Sequence, residues 1–389
     1  MQHDVPERGF DVTEFEDRTK RAQALMAASE LAGLLLMTEP EVRYFTGFRT
    51  LFWQSPTRPW FVFVPASGKP VAVIPEIGAE LMARGWLDDI RTWSAPAPDD
   101  DGVSLLTELL SPLAARRQGL GVLKGHETML RMPLGDWERL LAALPGLAIT
   151  DATSLVQGLR MTKSPAEIGK LAYACSIGSS VFDGMPGMAR AGQPLEDVFR
   201  TFRCASIGAG ADDIPYLVGA AGPEGYSDAI SHPTDRLLRA GDVLMLDTGL
   251  TWDGYFCDFD RNWSVGHASD LARRAHDVLW RATEAGLELA RPGNTCSDLF
   301  HAMTAIAAEM DESGGNVGRF GHGLGMQLTE QPSLAAFDHT VLTDGMVLTI
   351  EPSIVYGRGK MMVHEENIVV GPDGARLLTT RTDAELPVI

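Results

Sequence analysis

The order of apolar and polar residues in the first part of the chain predicts alternating helices and strands. Residues 15–37 begin with apolar positions at helical spacing and end in a short apolar run, which predicts an amphipathic helix leading into a strand. The runs "WFVFVP" (60–65) and "PVAVIP" (70–75) flank "ASGK" and predict a hairpin or two neighbouring strands. A helical pattern at 104–117 and a strand-like pattern at 119–125 continue the alternation. We therefore predict a first α/β domain with a mixed sheet.

The pattern changes near residue 155, where a second region begins. Ser164 precedes Pro165, and Glu167 stands three residues after the serine, which is typical of the N-terminus of a long helix. Further along the chain, β stretches with hairpin signals lie between and after helical segments. The predicted fold class is therefore α/β with α+β character, in two domains at residues 1–155 and 156–389.

Length, composition and charge narrow the class of protein. A chain of 389 residues is too long for one ordinary core, and 45% hydrophobic with 22% charged residues is typical of a globular protein. The net charge of −19 disfavours nucleic acid and anionic membranes as partners. We find no apolar run near the ~20 residues that span a bilayer and no signal-peptide pattern. The four cysteines stand far apart, so we expect free thiols in a reducing cytoplasm.

The segment "VLMLDTGLTWDGYFCDFDRNWSVG" predicts a hairpin that carries three carboxylates on one face. "DG" at 253–254 is a strong signal for a two-residue turn, and pairing around it places Asp247 opposite Asp260. Asp258 is then a diagonal neighbour of Asp247, within reach of a shared cation. An acidic face in solvent on an edge hairpin is the alternative. The apolar residues before Asp247 favour a buried strand, in which unpaired carboxylates are costly.

A second predicted hairpin, in "TIEPSIVYGRGKMMVHEEN", repeats this logic. Centring the hairpin on Arg358 places Glu351 opposite Glu365. Like charges that oppose each other directly destabilise a strand pair, so we interpret the two glutamates as ligands of a cation between them. A frayed surface hairpin is the alternative. His364 and Glu366 should face away from Glu365, at the surface or behind the site.

His322 stands between two glycines in "GHGLG". Glycine permits unusual dihedrals and close backbone approach, so we interpret this histidine as a ligand rather than as an ordinary satisfied polar residue. The candidate ligands are then four carboxylates and one imidazole: Asp247, Asp258, His322, Glu351 and Glu365. Oxygen-rich ligands with one nitrogen suit Mn²⁺, Fe²⁺, Co²⁺ or Zn²⁺. Four negative charges in one pocket indicate two dications, roughly 3.5–4 Å apart, with a bridging water.

At these residues the sequence resembles the creatinase/prolidase/methionine aminopeptidase family, which has the "pita-bread" fold. The family order Asp, Asp, His, Glu, Glu is matched by "LDTG", an aspartate eleven residues later, "GHGLG", "TIEPS" and "HEENIVV". "EVRYFTGF" (41–48) and "KSPAEIGKL" (163–171) resemble the aminopeptidase P and prolidase branch. The resemblance covers nearly the whole chain. It implies a non-catalytic, creatinase-like N-terminal domain (1–155) and a pita-bread catalytic domain (156–389).

The resemblance also implies a role for each ligand. Asp258 and Glu365 would bridge two divalent metal ions, with manganese the expected metal. Asp247 would bind one ion, and His322 and Glu351 would bind the other. Glu351 would also carry the proton of the attacking water.

Contacts to the substrate are implied outside the ligand set. His232 matches an upstream histidine that contacts the substrate; a histidine capping a turn before proline is the alternative. Members of this branch commonly dimerise, and the neighbour's N-terminal domain can line the pocket, so we expect a homodimer. The segment 48–60 is rich in aromatic residues and arginine, including Trp53 and Arg58. It is expected either to line the neighbour's pocket or to form ordinary core.

Three positions depart from the peptidases of the family. Thr329, expected at the substrate, stands where a second histidine is usual, and this removes a charged donor to the scissile carbonyl. Val363 stands where an arginine that contacts substrate is frequent. Asp260 stands where threonine is usual and adds an acid behind the ligands. The metal ligands are therefore intact, while the preference for peptides is open.

The leading hypothesis is a metallohydrolase that uses metal-bound hydroxide to cleave the amide next to proline or a proline-like group, as in Xaa-Pro dipeptidases. One alternative is altered chemistry on a small zwitterion, such as creatinase-like C–N hydrolysis or dimethylsulfoniopropionate cleavage. Creatinase lacks the metal ligands, which disfavours that case. A non-catalytic binding protein on the same fold is a further alternative, although such relatives typically lose ligands.

Overall fold

The structure is a computed structural model that describes residues 5–54, 58–314 and 318–389. The chain forms two compact units. The first unit is Glu7–Arg160, and the second is Met161–Ile389 together with Val5 and Pro6.

The division between the units falls five residues after the predicted boundary at 155. The helix that spans Thr153–Met161 explains the difference, because residues near its end contact the first unit. The Arg160 guanidinium donates to the Glu41 carboxylate at 2.6 Å, and the Tyr44 hydroxyl donates to the Leu159 carbonyl at 3.1 Å. Both partners lie more than a hundred residues earlier in the chain, so local sequence signals do not reveal them.

The first unit alternates helices and strands, as its apolar pattern predicts. Short 3₁₀ turns at Leu51–Gln54 and Glu76–Gly78 interrupt the alternation. The regular elements are α1 (Val12–Ala28), β1 (Leu31–Leu36), α2 (Glu39–Thr46), β2 (Phe61–Pro65), β3 (Val71–Pro75), α3 (Ala79–Ala83), β4 (Asp89–Trp93), α4 (Val103–Ala115), β5 (Gly119–Val122), α5 (Leu134–Ala143), β6 (Ala148–Asp151) and α6 (Thr153–Met161).

These strands form one mixed sheet in the order β4-β3-β2-β1-β5-β6. The central strands β1, β2 and β3 pair antiparallel, and β4, β5 and β6 add parallel to their neighbours. The predicted hairpin is present, with Val62 opposite Ala72. Helix α4 buries Val103, Leu106 and Leu110 on one face at helical spacing. The prediction of an α/β unit with a mixed sheet is therefore confirmed.

The second unit places two long helices before its first strand and carries most of the remaining strands in hairpins. Its elements are α7 (Pro165–Asp183), α8 (Leu195–Gly208), β7 (Asp213–Pro223), β8 (Asp242–Trp252), β9 (Tyr255–Phe256), β10 (Phe259–Ser264), α9 (Asp270–Leu289), α10 (Cys296–Ala307), β11 (His322–Gly323), β12 (Glu330–Ser333), β13 (Val347–Ile350), β14 (Ser353–Tyr356), β15 (Lys360–Val363), β16 (Glu366–Gly371) and β17 (Gly374–Leu377).

Helix α7 begins where the sequence predicts. The Ser164 side chain accepts from the Glu167 backbone at 3.3 Å, and the Glu167 carboxylate accepts from the Ser164 backbone at 2.9 Å. Pro165 occupies the first helical position, where its missing N–H costs nothing.

Two separate sheets in the second unit carry the candidate ligands. The first has the order β10-β8-β7, with β9 paired to β8, and the second has the order β12-β11-β13-β16-β17. Strands β14 and β15 form a hairpin of their own. Helices α9 and α10 bury Leu279, Leu299 and Met303 in one core with the apolar side chains of the strands, such as Leu348 and Ile368.

Two further sequence expectations concern surface and redox chemistry. No helix in the described part of the chain is long and apolar enough to cross a membrane. All four cysteines are free thiols, as predicted, and only Cys204 is exposed.

Candidate metal centre

The first ligand hairpin has the predicted turn and register. Asp253 and Gly254 have φ values of 45° and 71°, the left-handed pair that a type I′ turn requires. Asp247 pairs directly with Asp260 across β8 and β10. Successive side chains alternate between faces, so Asp258 shares the face of Asp247 and Asp260.

The second hairpin brings the two glutamates together. Ile350 pairs with Glu366, and Ser353 pairs with Val363. Both pairs belong to one register, which places Glu351 opposite Glu365, as predicted from the loop centred on Arg358.

The glycines beside His322 are required by close backbone packing. A Cβ on Gly321 would lie 2.3 Å from the Thr349 carbonyl oxygen, and a Cβ on Gly323 would lie 2.1 Å from the Gln331 carbonyl oxygen. Gly321 also has a φ of +142°, which side-chain-bearing residues rarely adopt. The two glycines therefore let the histidine strand sit tightly between its neighbours.

All five candidate ligands lie in one cluster. Carboxylate oxygens of Asp247, Asp258 and Glu365 lie within 4.8 Å of one another. The His322 Nε2 atom is 3.4 Å from Asp258 Oδ2 and 3.9 Å from Glu351 Oε1. Asp247 and Glu351 keep partial exposure, while the other three are buried.

His322 is held in the form that binds metals. Its Nδ1 atom is 2.9 Å from the Gly323 carbonyl oxygen, so Nδ1–H donates there and the Nε2 lone pair faces the carboxylates. Burial lowers the pKa of His322 to about 4. The imidazole is therefore neutral at physiological pH, as a metal ligand must be.

The carboxylates resist ionisation in the absence of a counter-charge. Burial raises the pKa of Asp247 and of Glu351 to about 7 in each case. Burial and then repulsion from Asp247 and Glu351 raise the pKa of Asp258 well above its usual range. Burial, Asp258 and Glu351 do the same to the pKa of Glu365. Bound cations would remove this repulsion.

Unpartnered oxygens show that the ligand set fits divalent cations. Asp247 Oδ1 and Glu365 Oε1 are buried without a hydrogen-bond partner. Such atoms are costly in a folded protein unless something binds them. Four carboxylates and one neutral imidazole are the donors that suit Mn²⁺, Fe²⁺, Co²⁺ or Zn²⁺.

Asp260 lies beside the cluster rather than within it. Its Oδ2 atom accepts from Asn262 Nδ2 at 2.6 Å, and its Oδ1 atom is buried without a partner. Asn262 also donates to the Val363 carbonyl at 2.7 Å. Asp260 therefore holds Asn262, and Asn262 connects the aspartate strand to the end of β15.

His364 and Glu366 are both buried, so the expectation that they lie at the surface is wrong and the expectation that they lie behind the site holds. His364 Nδ1 is 2.9 Å from the Thr283 hydroxyl. Glu366 accepts from Arg261 at 2.9 Å and from Arg381 at 3.4 Å. The two arginines are distant from Glu366 in sequence. Their positive charges offset the free-energy cost of burying its carboxylate.

The predicted substrate contacts are dispersed. His232 is exposed in the loop between β7 and β8, where no hydrogen bond or ion pair links it to another residue of the described chain. Thr329 is half-buried next to Glu330, which forms an ion pair with Lys163 at 3.1 Å.

In the first unit, Trp53 is buried and packs against Trp60 with ring centroids 5.9 Å apart. Arg58 lies over the Phe52 ring at 4.8 Å. The predicted segment 48–60 also includes residues 55–57, which lie outside the described residues.

Two residues near the ligands carried no motif in the sequence. The Tyr216 side chain lies near the Asp247 carboxylate and opposes the rise in the pKa of Asp247 that burial causes. Arg319 favours the ionised forms of Glu351 and Asp258. Tyr216 pairs with Gly249 across β7 and β8. A Cβ on Gly249 would lie 3.1 Å from Tyr216 Cβ, so the glycine of "LDTG" is the sequence feature that could have pointed to a bulky residue opposite it.

Family models match both units of the chain. The model for metallopeptidase family M24 matches residues 169–372, and the model for the creatinase/prolidase N-terminal domain matches residues 18–162. The chain belongs to metallopeptidase family M24. It is a metallopeptidase in which a creatinase-type N-terminal domain precedes the M24 catalytic domain, as the resemblance implied.

Individual relatives agree with the family assignment. The probable dipeptidase PepE of Mycobacterium tuberculosis is 30% identical over 383 residues, which cover 95% of each chain. The Xaa-Pro dipeptidase of Pyrococcus furiosus is 27% identical over 241 residues, or 60% of this chain and 66% of that protein. The crystal structure of dipeptidase PepE from Mycobacterium ulcerans superposes with a TM-score of 0.84 at 28% identity and covers 98% of this chain and 99% of that one.

Proposed function

We propose that this M24 metallopeptidase is a dinuclear metal-dependent dipeptidase that hydrolyses the amide bond next to proline. The observation that carries the proposal is the cluster of Asp247, Asp258 and Glu365, with unpartnered buried oxygens on two of the three. His322 and Glu351 complete a donor set for two cations. The relatives named as dipeptidases and as an Xaa-Pro dipeptidase support the choice of substrate.

The residues divide the work in the proposed reaction. Asp258 and Glu365 would be shared by both cations, Asp247 would hold one of them, and His322 and Glu351 would hold the other. When bound, two such cations polarise the scissile carbonyl and make water a stronger nucleophile near neutral pH. Glu351 stays partly exposed, with a side-chain exposure of 22%, so it can take the proton of the attacking water and pass it to the leaving amine.

Substrate contacts, metal identity and assembly form the finer part of the proposal. We assign substrate contacts to His232 and Thr329 and, in the neighbouring subunit of a homodimer, to Trp53 and Arg58. Manganese is the expected metal and the cytoplasm the expected compartment. The alternatives on small zwitterions, and a purely binding role, gain no support from the relatives described above.

The test is to remove the proposed bridging ligands one at a time. Asp258→Ala and Glu365→Ala should each lose bound manganese and Xaa-Pro dipeptidase activity, because each leaves the remaining carboxylates without a shared cation. Glu288→Ala removes an exposed glutamate on α9 of the same unit and serves as the control. Elemental analysis after gel filtration measures the metal. Full metal content in both bridging variants would contradict the proposed centre.

A further inference from the structure

Asp258 lies where strand pairing is interrupted. Strand β9 ends at Phe256 and β10 begins at Phe259, so the backbone of Asp258 lies outside both strands. The side chain of Asn367 pairs with this backbone instead. The Asp258 N–H donates to Asn367 Oδ1 at 2.9 Å, and Asn367 Nδ2 donates to the Asp258 carbonyl oxygen. One side-chain amide thus makes both bonds that a neighbouring strand would make.

Asn367 is itself held firmly. It is fully buried in β16, where its backbone pairs with Thr349 and its N–H donates to Thr379 Oγ1 at 3.3 Å. The Cys175 thiol donates to Asn367 Oδ1 at 3.3 Å. Because two donors converge on one end of the amide and a carbonyl faces the other end, the amide has a single satisfactory orientation.

The two halves of the metal centre come from different sheets. Asp247 lies in β8 and Asp258 borders β10 of the same sheet, while His322 lies in β11 and Glu365 borders β16 of the other sheet. Asn367 stands two residues after Glu365 and reaches across to Asp258. It therefore ties one proposed bridging ligand to the strand that carries the other.

We propose that Asn367 is a positioning residue that fixes Asp258 relative to Glu365 and thereby sets the affinity for the pair of cations. The inference rests on the proposed dinuclear centre. A bridging carboxylate must reach both ions at once, so a small backbone shift at Asp258 lengthens two coordination bonds together. Loss of outer partners of this kind typically weakens metal binding about 10–100-fold.

The experiment is a titration of the metal-free protein with Co²⁺. Calorimetry measures the affinity and the number of bound ions, and visible absorption reports on their coordination. Asn367→Ala removes both bonds to Asp258 and should weaken Co²⁺ binding about 10–100-fold with an altered absorption spectrum. Asn294→Ala is the matched control, because Asn294 Nδ2 also donates to a backbone carbonyl, that of Leu289 at 2.8 Å, but away from the ligands. The control should bind two equivalents with wild-type affinity.

A variant of the same shape distinguishes loss of the hydrogen bonds that position Asp258 from loss of side-chain packing at Asn367. Asn367→Asp keeps the acceptor for the Asp258 N–H but turns the donor into an acceptor that faces the Asp258 carbonyl. It should therefore weaken Co²⁺ binding although the volume is unchanged. Asn367→Thr, whose β-branched side chain suits a strand, replaces Asn367→Ala if the alanine variant does not fold.

The outcomes distinguish this inference from the function proposed above. Wild-type affinity and spectrum in any folded Asn367 variant would overturn the positioning role. Equal weakening in Asn294→Ala, or failure of every Asn367 variant to fold, would also overturn it, because either result shows a general structural role. A wild-type protein that binds fewer than two equivalents of Co²⁺ would instead contradict the dinuclear centre.

Discussion

Substitution of Thr329 tests whether Xaa-Pro dipeptides are the preferred substrates. Thr329 is half-buried, and the family resemblance implies that a second histidine is expected at this position. A threonine hydroxyl donates a neutral hydrogen bond, while a protonated imidazole donates a charged one. Loss of one such donor typically costs about 10²–10³ in turnover. We therefore expect slow turnover of Xaa-Pro dipeptides and a higher kcat for Thr329→His.

The comparison variant for this prediction is Thr329→Val, which keeps the shape but removes the hydroxyl. It should be slower than the wild type on the same dipeptides. Wild-type turnover already equal to that of ordinary prolidases would show that Thr329 does not limit the reaction.

His276 makes stability sensitive to acid. Burial lowers its pKa below the ordinary value of 6.5, and the Asp383 carbonyl, 3.0 Å from Nε2, opposes this shift only in part. Below pH 6.5 the unfolded chain takes up a proton that the folded protein resists, so stability falls as pH falls. His276→Gln keeps an N–H donor but does not titrate. Its free energy of unfolding should fall less than that of the wild type between pH 7 and pH 5.

Urea unfolding at a series of pH values measures this difference. His126→Gln is the control for the loss of a histidine, because the His126 side chain is 84% exposed. Parallel pH profiles for wild type and His276→Gln would refute the assignment to His276.

At the scale of elements, β11 and the residue before it leave no room for added side chains beside His322. A Cβ on Gly321 or Gly323 would approach a backbone carbonyl to 2.3 Å or 2.1 Å, and backbone cannot move aside cheaply. Gly321→Ala and Gly323→Ala should each lower the free energy of unfolding by about 1–3 kcal/mol. Each should also weaken metal binding, because His322 lies between them.

Gly318→Ala is the control for both variants. Nothing lies within 4 Å of an added Cβ at Gly318, although it is only a few residues away in the chain. Thermal unfolding with and without Mn²⁺ measures both effects. A stable Gly323→Ala variant with wild-type metal content would contradict the packing argument.

Elements defined by local chemistry could be predicted from the sequence. The turn at 253–254 fixes the register of its hairpin, because its two residues adopt positive φ and the strands alternate faces. The same reasoning placed Glu351 opposite Glu365. The start of α7 follows from Ser164 and Glu167 in the same way, since every contact lies within one turn.

Features that depend on distant partners could not be predicted. Asn367 contacts Asp258 only because two sheets meet, and no local pattern distinguishes it from an ordinary strand residue. Glu366 is buried because Arg261 and Arg381 reach it from other parts of the chain. The end of the first unit at Arg160 depends in the same way on Glu41.

At the scale of the whole molecule, the free energy of unfolding should depend on bound cations, because the clustered carboxylates repel one another without them. Treatment with a chelator should lower the thermal unfolding midpoint, and Mn²⁺ should restore it. A cation at 100 times its dissociation constant stabilises the folded state by about 2.7 kcal/mol. Asp258→Ala should show no such response. An unchanged midpoint in wild-type protein after complete removal of metal would contradict this expectation.

The distribution of the ligands over two sheets has a consequence for how the protein matures. Asp247 and Asp258 stand eleven residues apart in one hairpin, but Glu365 follows more than a hundred residues later. Joining them requires closure of a long loop, which is a slow event compared with formation of a local hairpin. A cation held by the complete ligand set therefore selects only chains that have finished folding. Binding of added Mn²⁺ to metal-free protein should therefore count only the molecules that reached the native state.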